Sequence, residues 1–251
     1  MIASIAVLSD VHGMLASLDA VLAEPAVAGA DRIVVAGDHT WGPQPAEVLD
    51  RLVGLGDRAV LVRGNADREL LRMAQGVDVG LGDDPLSVWG AAQLTARHIA
   101  LLEAMPESVV LDVDGFGPVF CSHATPRDDQ EVVLVDSRME RWREVHAGLP
   151  AEVRTVVAGH THMPFVRLVD GRLVVNPGSV GLPYGRQGAH WALLDAGVVS
   201  LGRTLLDPDD LIERTAAGSA LPDVRDWLEE HVRLPAGDAE VLAEFGPRDG
   251  R

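Results

Sequence analysis

Apolar positions near the start of the chain fall into a repeating order. Residues 2–8 form a continuous apolar run, the pattern of a strand buried on both faces. Residues 14–22 carry apolar side chains at helical spacing. Residues 32–36 are β-branched again. Over 45–55, Ala46, Val48, Leu49, Leu52 and Val53 make a helical stripe, with Pro45 in the first turn. Residues 59–62 read as a third strand. Strand, helix and strand at this spacing predict βαβ units and a mostly parallel sheet.

Residues 66–105 read as mainly helical, broken by a Gly/Asp-rich loop. From 109 the pattern changes. Short strands are predicted over 109–113, 119–122, 154–158, 165–169, 172–175, 190–194 and 198–204. Tight-turn pairs such as Asp114-Gly115, Asp170-Gly171 and Ala196-Gly197 separate several of them. One helix, about 137–147, interrupts the series, and 208–245 reads as short helices. No repeat or low-complexity linker divides the chain. It is read as one α/β domain over 1–251, with cap-like helical segments at about 66–105 and 124–150 and a short helical region from 208.

Composition narrows the chemistry. The chain has 251 residues and a formal net charge of −17, from 38 acidic and 21 basic residues. All 21 basic residues are Arg. Without Lys there is no P-loop lysine, no Schiff-base lysine and no kinase-type lysine. An excess of acid disfavours long nucleic acid and anionic membrane as partners. One cysteine, Cys121, rules out an intrachain disulfide and a cysteine-based metal site. No apolar run approaches the ~18 residues of a membrane span. The opening MIASIAVLSDVHG lacks a basic leader and runs straight into a strand, so the cytoplasm is the expected compartment.

Residue types that bind metals gather where predicted strands end. The first strand runs into Ser9-Asp10-Val11-His12, and strand alternation puts Asp10 and His12 on one side. The next two end in Gly37-Asp38 and Gly64-Asn65. Later strands end in His123 and in Gly159-His160-Thr161-His162. Open α/β sheets bind ligands beyond the carboxyl ends of their strands. Two carboxylates, one amide and four imidazoles are thus expected at one edge.

These motifs resemble the signature of the calcineurin-like metallophosphoesterases, over residues 1 to about 205. The segments at 38–43 and 176–181 are similar to small bacterial phosphodiesterase and diadenosine tetraphosphate hydrolase members. The resemblance implies a four-layer αββα fold: a β-sandwich of two mixed sheets flanked by helices. It implies a first metal on Asp10, His12 and His162, a second on Asn65, His123 and His160, and Asp38 bridging them. It also implies hydrolysis of small phosphodiesters or nucleotides by attack of a metal-bridging hydroxide on phosphorus. Nitrogen and oxygen donors without thiolate suit Mn²⁺ or Fe first, then Zn²⁺, Co²⁺ or Ni²⁺. Two divalent ions against two aspartates leave the site cationic inside an anionic protein.

One departure matters. The family's usual proton donor, a His directly after the Asn, is Ala66 here, followed by Asp67. A positioned acid contributes ~10²–10⁴-fold. His39, directly after Asp38, is the candidate replacement, with Asp67 as the acidic member that remains. A leaving group that departs unaided is another route. A catalytically weak metal-binding scaffold for protein interaction stays open as the alternative function. Arg127, Tyr184 and Arg186 are candidate substrate contacts, each with a packing or surface role as the competing reading. Asn176 is expected to tie its loop, and His190, at the start of a strand, is a minor candidate for supporting a ligand. His98, His146 and His231 are expected at the surface, and Met14, where the family often has Asn, reads as a core-facing start to the first helix.

Overall fold

The computed structural model describes residues 2–249. Strands β1 (Ser4–Leu8), β2 (Arg32–Ala36) and β3 (Ala59–Val62) alternate with helices α1 (Leu15–Leu22), α2 (Pro25–Ala28) and α3 (Pro45–Val53). Three helices follow: α4 (Asn65–Ala74), α5 (Pro85–Gln93) and α6 (Ala96–Ala104). Then come β4 (Ser108–Val113), β5 (Gly117–Ser122), α7 (Met139–Val145), β6 (Thr155–Val157), β7 (Phe165–Val169) and β8 (Arg172–Asn176). The chain closes with β9 (Ala189–Asp195), β10 (Val198–Thr204), α8 (Pro208–Gly218), α9 (Val224–Leu228) and α10 (Asp238–Phe245).

The strands form two five-stranded sheets, not one mostly parallel sheet. The first has the order β10-β9-β1-β2-β3 and the second β4-β5-β6-β8-β7. Strands β1, β2 and β3 run parallel, while β9 lies antiparallel to β1. In the second sheet β5, β6 and β8 are parallel, and β4 and β7 close the edges antiparallel. Both sheets are therefore mixed. Periodicity reveals a strand but not its partner, so the split into two sheets was beyond the pattern reading.

Alternation along β1 explains the layers. Ile5 and Val7 face the second sheet, in one apolar cluster with Val119, Cys121, Val157 and Val175. Ala6 and Leu8 face the other way, onto Leu18, Val21, Val48 and Leu52 of α1 and α3. On the far side of the second sheet, Trp142 and Val145 of α7 cover Phe120, Val156 and Val174. The order is helix, sheet, sheet, helix. Each fully buried Val or Leu in these layers contributes roughly 1.5–3 kcal/mol relative to exposure.

The C-terminal helices pack where sequence reasoning had no expectation. Leu211, Ile212 and Leu228 bury Met14 and Ala16 at the start of α1. Met14 is fully buried, facing the core at the start of the first helix as expected. No helix among the described residues is long and apolar enough to cross a membrane.

Candidate metal centre

The loops after β1, β2, β3, β5 and β6 meet at one edge of the sandwich. Strand alternation does not place Asp10 and His12, because β1 already ends at Leu8. Both adopt a left-handed backbone, with φ of 55° and 48°. Asp38, His160 and His162 do the same, at 53°, 67° and 55°. Non-glycine residues at positive φ are uncommon, and such strain collects at functional sites. Among the described non-glycine residues only Asp170, Ala196 and Asp223 share a positive φ without belonging to the predicted ligand set. Two glycines allow the loops to close. A Cβ on Gly64 would stand 2.2 Å from Asp38 Oδ1, and one on Gly159 would stand 1.8 Å from Ser9 Oγ.

Two donor clusters result. Asp10, His12 and His162 converge in one, and Asp38, His123 and His160 in the other. Asp38 Oδ2 lies 3.7 Å from His12 Nε2 and 3.4 Å from His123 Nε2, so one carboxylate oxygen faces both. The Asn65 side-chain oxygen is 3.1 Å from His123 Nε2, beside the second cluster.

Each imidazole is held by a backbone carbonyl. His12 Nδ1–H donates to Trp41 O at 3.0 Å, His123 Nδ1–H to Ala36 O at 2.8 Å and His162 Nδ1–H to Leu182 O at 2.6 Å. His160 uses its other nitrogen, donating from Nε2–H to Gln130 O at 3.2 Å. A carbonyl only accepts, so in the neutral ring these bonds fix the tautomer and turn the opposite nitrogen toward the cluster as a lone pair. This is the usual outer-shell support of a metal-binding histidine.

The lone pairs then point at one another. His12 Nε2 and His162 Nε2 stand 3.1 Å apart, with Asp10 Oδ1 3.2 Å from the latter. Asp10 Oδ1 is buried and accepts no hydrogen bond, although its partner oxygen accepts from the His160 backbone N–H at 3.1 Å. A buried carboxylate oxygen without a donor is costly unless a cation meets it. The donor set therefore fits a pair of metal ions of the first transition row or zinc.

The groups also shift one another's protonation. Burial pushes the Asp10 carboxyl up, but the adjoining His162, with His123, pulls it the other way, and the net shift is downward. Asp38 is held well below the usual carboxylate range, with burial opposed by His123. Burial alone would lower His123, yet Asp38 beside it raises it to about 10. His160 falls to about 4 through burial and the neighbouring His123.

The remaining sequence candidates separate. His39 is fully buried and donates from Nδ1–H to Asp67 Oδ2 at 2.6 Å. Asp67 also accepts from the backbone N–H groups of His39, Thr40 and Gly64 and from the Thr40 hydroxyl. The pair thus ties the Asp38 loop to the Asn65 loop. Neither residue lines the cleft over the metal centre. Tyr184 does, with its ring stacked on His162 at 5.0 Å. Arg186 lines a neighbouring cavity beyond Tyr184. The Arg127 guanidinium is engaged by Glu131 and Glu144, and it too lies outside the cleft.

That cleft is about 450 Å³. The expected cap segments supply none of its lining: Trp41 and the 182–184 loop form one part, and residues 230–248 the other. The 124–150 stretch meets the centre from outside this cleft, through the Gln130 carbonyl on His160 and through Thr125–Asp129, which line a separate cavity with His123. His231, expected at the surface, lines the cleft and stacks on Trp227. His98 and His146 are also buried, His98 with Nε2 3.0 Å from Asp50. His190 is buried too, without a bond to any ligand side chain among the described residues. Asn176 does tie its loop, donating to Gly159 O and Thr161 Oγ1.

Residues 4–197 match the family model of the calcineurin-like phosphoesterase superfamily domain. The chain belongs to that superfamily. It is thereby an enzyme of the metal-dependent phosphoric ester hydrolase class. Phosphodiesterase YfcE of Escherichia coli is 28% identical over 203 residues, covering 77% of this chain and 88% of the relative. A symmetrical bis(5'-nucleosyl)-tetraphosphatase of Bordetella parapertussis is 42% identical over 77 residues, 30% of this chain and 28% of the relative. Among solved structures, a metallophosphoesterase from Sphaerobacter thermophilus aligns with a TM-score of 0.71 at 25% identity. That alignment covers 91% of this chain and all of the other.

Proposed function

We propose that the protein is a dinuclear phosphoesterase that hydrolyses small phosphodiesters or nucleotides. The observation that carries this reading is the shared carboxylate: Asp38 Oδ2 faces an imidazole nitrogen of each cluster. Asp10, His12 and His162 would hold one ion, Asn65, His123 and His160 the other, and Asp38 both. Mn²⁺ or Fe suits this donor set best. When bound, such a pair supplies an activated water near neutral pH and takes up phosphoryl charge.

The chain's own residues do the rest. Carbonyls of Trp41, Ala36, Leu182 and Gln130 orient the imidazoles. The cleft admits a small ester, and Tyr184 gives it a flat apolar contact on the metal side. His39, tied to Asp67 and fully buried, braces the loops in this reading and donates no proton to substrate. Substrates whose leaving groups depart without a donated proton are then favoured, nucleotides and nitrophenolates among them.

Hydrolysis of bis-p-nitrophenyl phosphate tests the proposal. Turnover should appear with added Mn²⁺ and vanish with a chelator. No turnover above buffer, with metal bound, would overturn the proposed mechanism and substrate class.

A further inference from the structure

The family match stops at residue 197, but the cleft does not. Its outer half is built from the C-terminal segment, and two aromatic series run outward from the metal ligands into it. On one side the His12 ring meets the Trp41 ring edge-on at 5.7 Å, Trp41 meets Trp227 at 6.2 Å, and Trp227 stacks on His231 at 4.3 Å. On the other, His162 stacks on Tyr184, Tyr184 stands 6.4 Å from Phe245, and the Arg248 guanidinium lies 5.2 Å over Phe245.

What sets Arg248 apart is its place in the cleft, since Arg72, Arg154 and Arg186 also form no ion pair among the described residues. Ten other arginines form ion pairs with Asp or Glu. Arg248 has none among the described residues, and it is the one arginine in the lining of the metal cleft. An exposed cation without an ion-pair partner among the described residues, in a chain of net charge −17, can meet an anion from outside. Glu230 lines the same cleft, which opposes a long polyanion and favours a short one. The volume of about 450 Å³ lies within the ~300–1,000 Å³ of small-molecule sites.

We propose that Phe245 and Arg248, together with Tyr184, recognise the nucleoside part of the substrate, with a nucleobase on the aromatic rings and the phosphate held between Arg248 and the metal centre. The idea rests on the proposed phosphoesterase reading and names the substrate class of that site. Flat, uncharged ring faces accept any base, since each has a π-face, and a guanidinium can stack as well as pair. Selectivity would therefore lie between nucleotides and esters without a base, not among bases.

Binding separates this idea from catalysis. The probes are AMP and ribose 5-phosphate, titrated calorimetrically into the Mn²⁺-loaded full chain. The wild type should bind AMP about ten-fold more tightly, as expected for loss of one base–aromatic stack. Phe245→Leu keeps the apolar bulk but removes the ring face, and should shrink that preference to about two-fold on the same scale. Arg248→Gln should weaken both probes alike, by about five-fold for one exposed charge contact. Unchanged melting temperatures would show that both variants fold. Equal affinity of the wild type for the two probes, or a preference untouched by Phe245→Leu, overturns the proposal. Turnover of bis-p-nitrophenyl phosphate without a base preference removes this inference and leaves the phosphoesterase reading. A base preference that responds to Phe245→Leu without any turnover supports this inference and removes that reading.

Discussion

The floor and the outer wall of the cleft are held in place by different means. At the floor, five of the seven proposed ligands sit in left-handed backbone, and every imidazole spends one nitrogen on a carbonyl. Side-chain position there is set by the main chain of five strand-end loops. At the wall, Tyr184, His231 and Phe245 meet other rings, His231 on Trp227 and Phe245 against Tyr184. Ring packing tolerates substitution, because apolar surfaces can be refilled at modest cost. Strained loops do not, because each one is over-determined by its neighbours. The floor suits chemistry that demands fixed geometry, and the wall suits recognition that can vary.

Asp38→Asn should break the floor most severely. One oxygen of Asp38 faces both clusters and the other accepts from the Ala66 N–H at 2.9 Å. The amide keeps the shape but removes a charge from both positions. Loss of a supporting residue beyond the ligands costs ~10–100-fold in metal affinity, so loss of a shared ligand should cost at least about 100-fold at each site. Metal content after dialysis against a weak chelator is the readout. Two ions retained in the variant would disprove the shared role of Asp38, and wall variants should leave the metal content unchanged.

The same contrast explains what the sequence disclosed. β-Branched runs located β2 and β3, and the metal-binding types after each strand located the floor, because both signals are local. The left-handed backbone at Asp10 and His12 left no trace, since neither residue is glycine. His39 looked like a proton donor because it follows Asp38. Its burial against Asp67 depends on the approach of two loops that are distant in sequence. The wall was illegible for a related reason. Trp227, Phe245 and Arg248 have no diagnostic spacing, and contacts between distant parts of the chain bring their segment over the cleft, among them the packing of α8 and α9 on Met14 and the Ser137–Asp249 hydrogen bond.

Asp67→Ala should have the next largest effect, and it asks whether the brace beneath the floor is structural. The carboxylate accepts from five donors of the Asp38 and Asn65 loops, all buried. Its removal orphans those donors, at ~1–3 kcal/mol for each group left unsatisfied, so a total of roughly 3–5 kcal/mol is expected after relaxation. Denaturant unfolding measures it. His39→Gln should lower turnover of bis-p-nitrophenyl phosphate and of a poorly leaving alkyl phosphodiester by the same factor. A selective loss with the alkyl ester would instead restore His39 as proton donor.

The smallest effect concerns a histidine away from both floor and wall. His146 is packed against Trp142, at 5.5 Å between rings, with a buried Nδ1 that has no partner. Burial, helped by the nearby Arg172, lowers it from 6.5 to about 4. A group with a depressed folded-state value stabilises the fold fully above pH 6.5. That contribution drains as the pH falls toward 4, because only the unfolded chain takes up the proton in this window. His146→Phe keeps an aromatic ring and removes the titration. With chelator present in both samples, protonation of the floor residues cancels in the difference. The melting temperature of the wild type should then fall faster than that of the variant between pH 6.5 and 4. Parallel curves would mean that His146 takes up its proton in the folded state as readily as in the unfolded one.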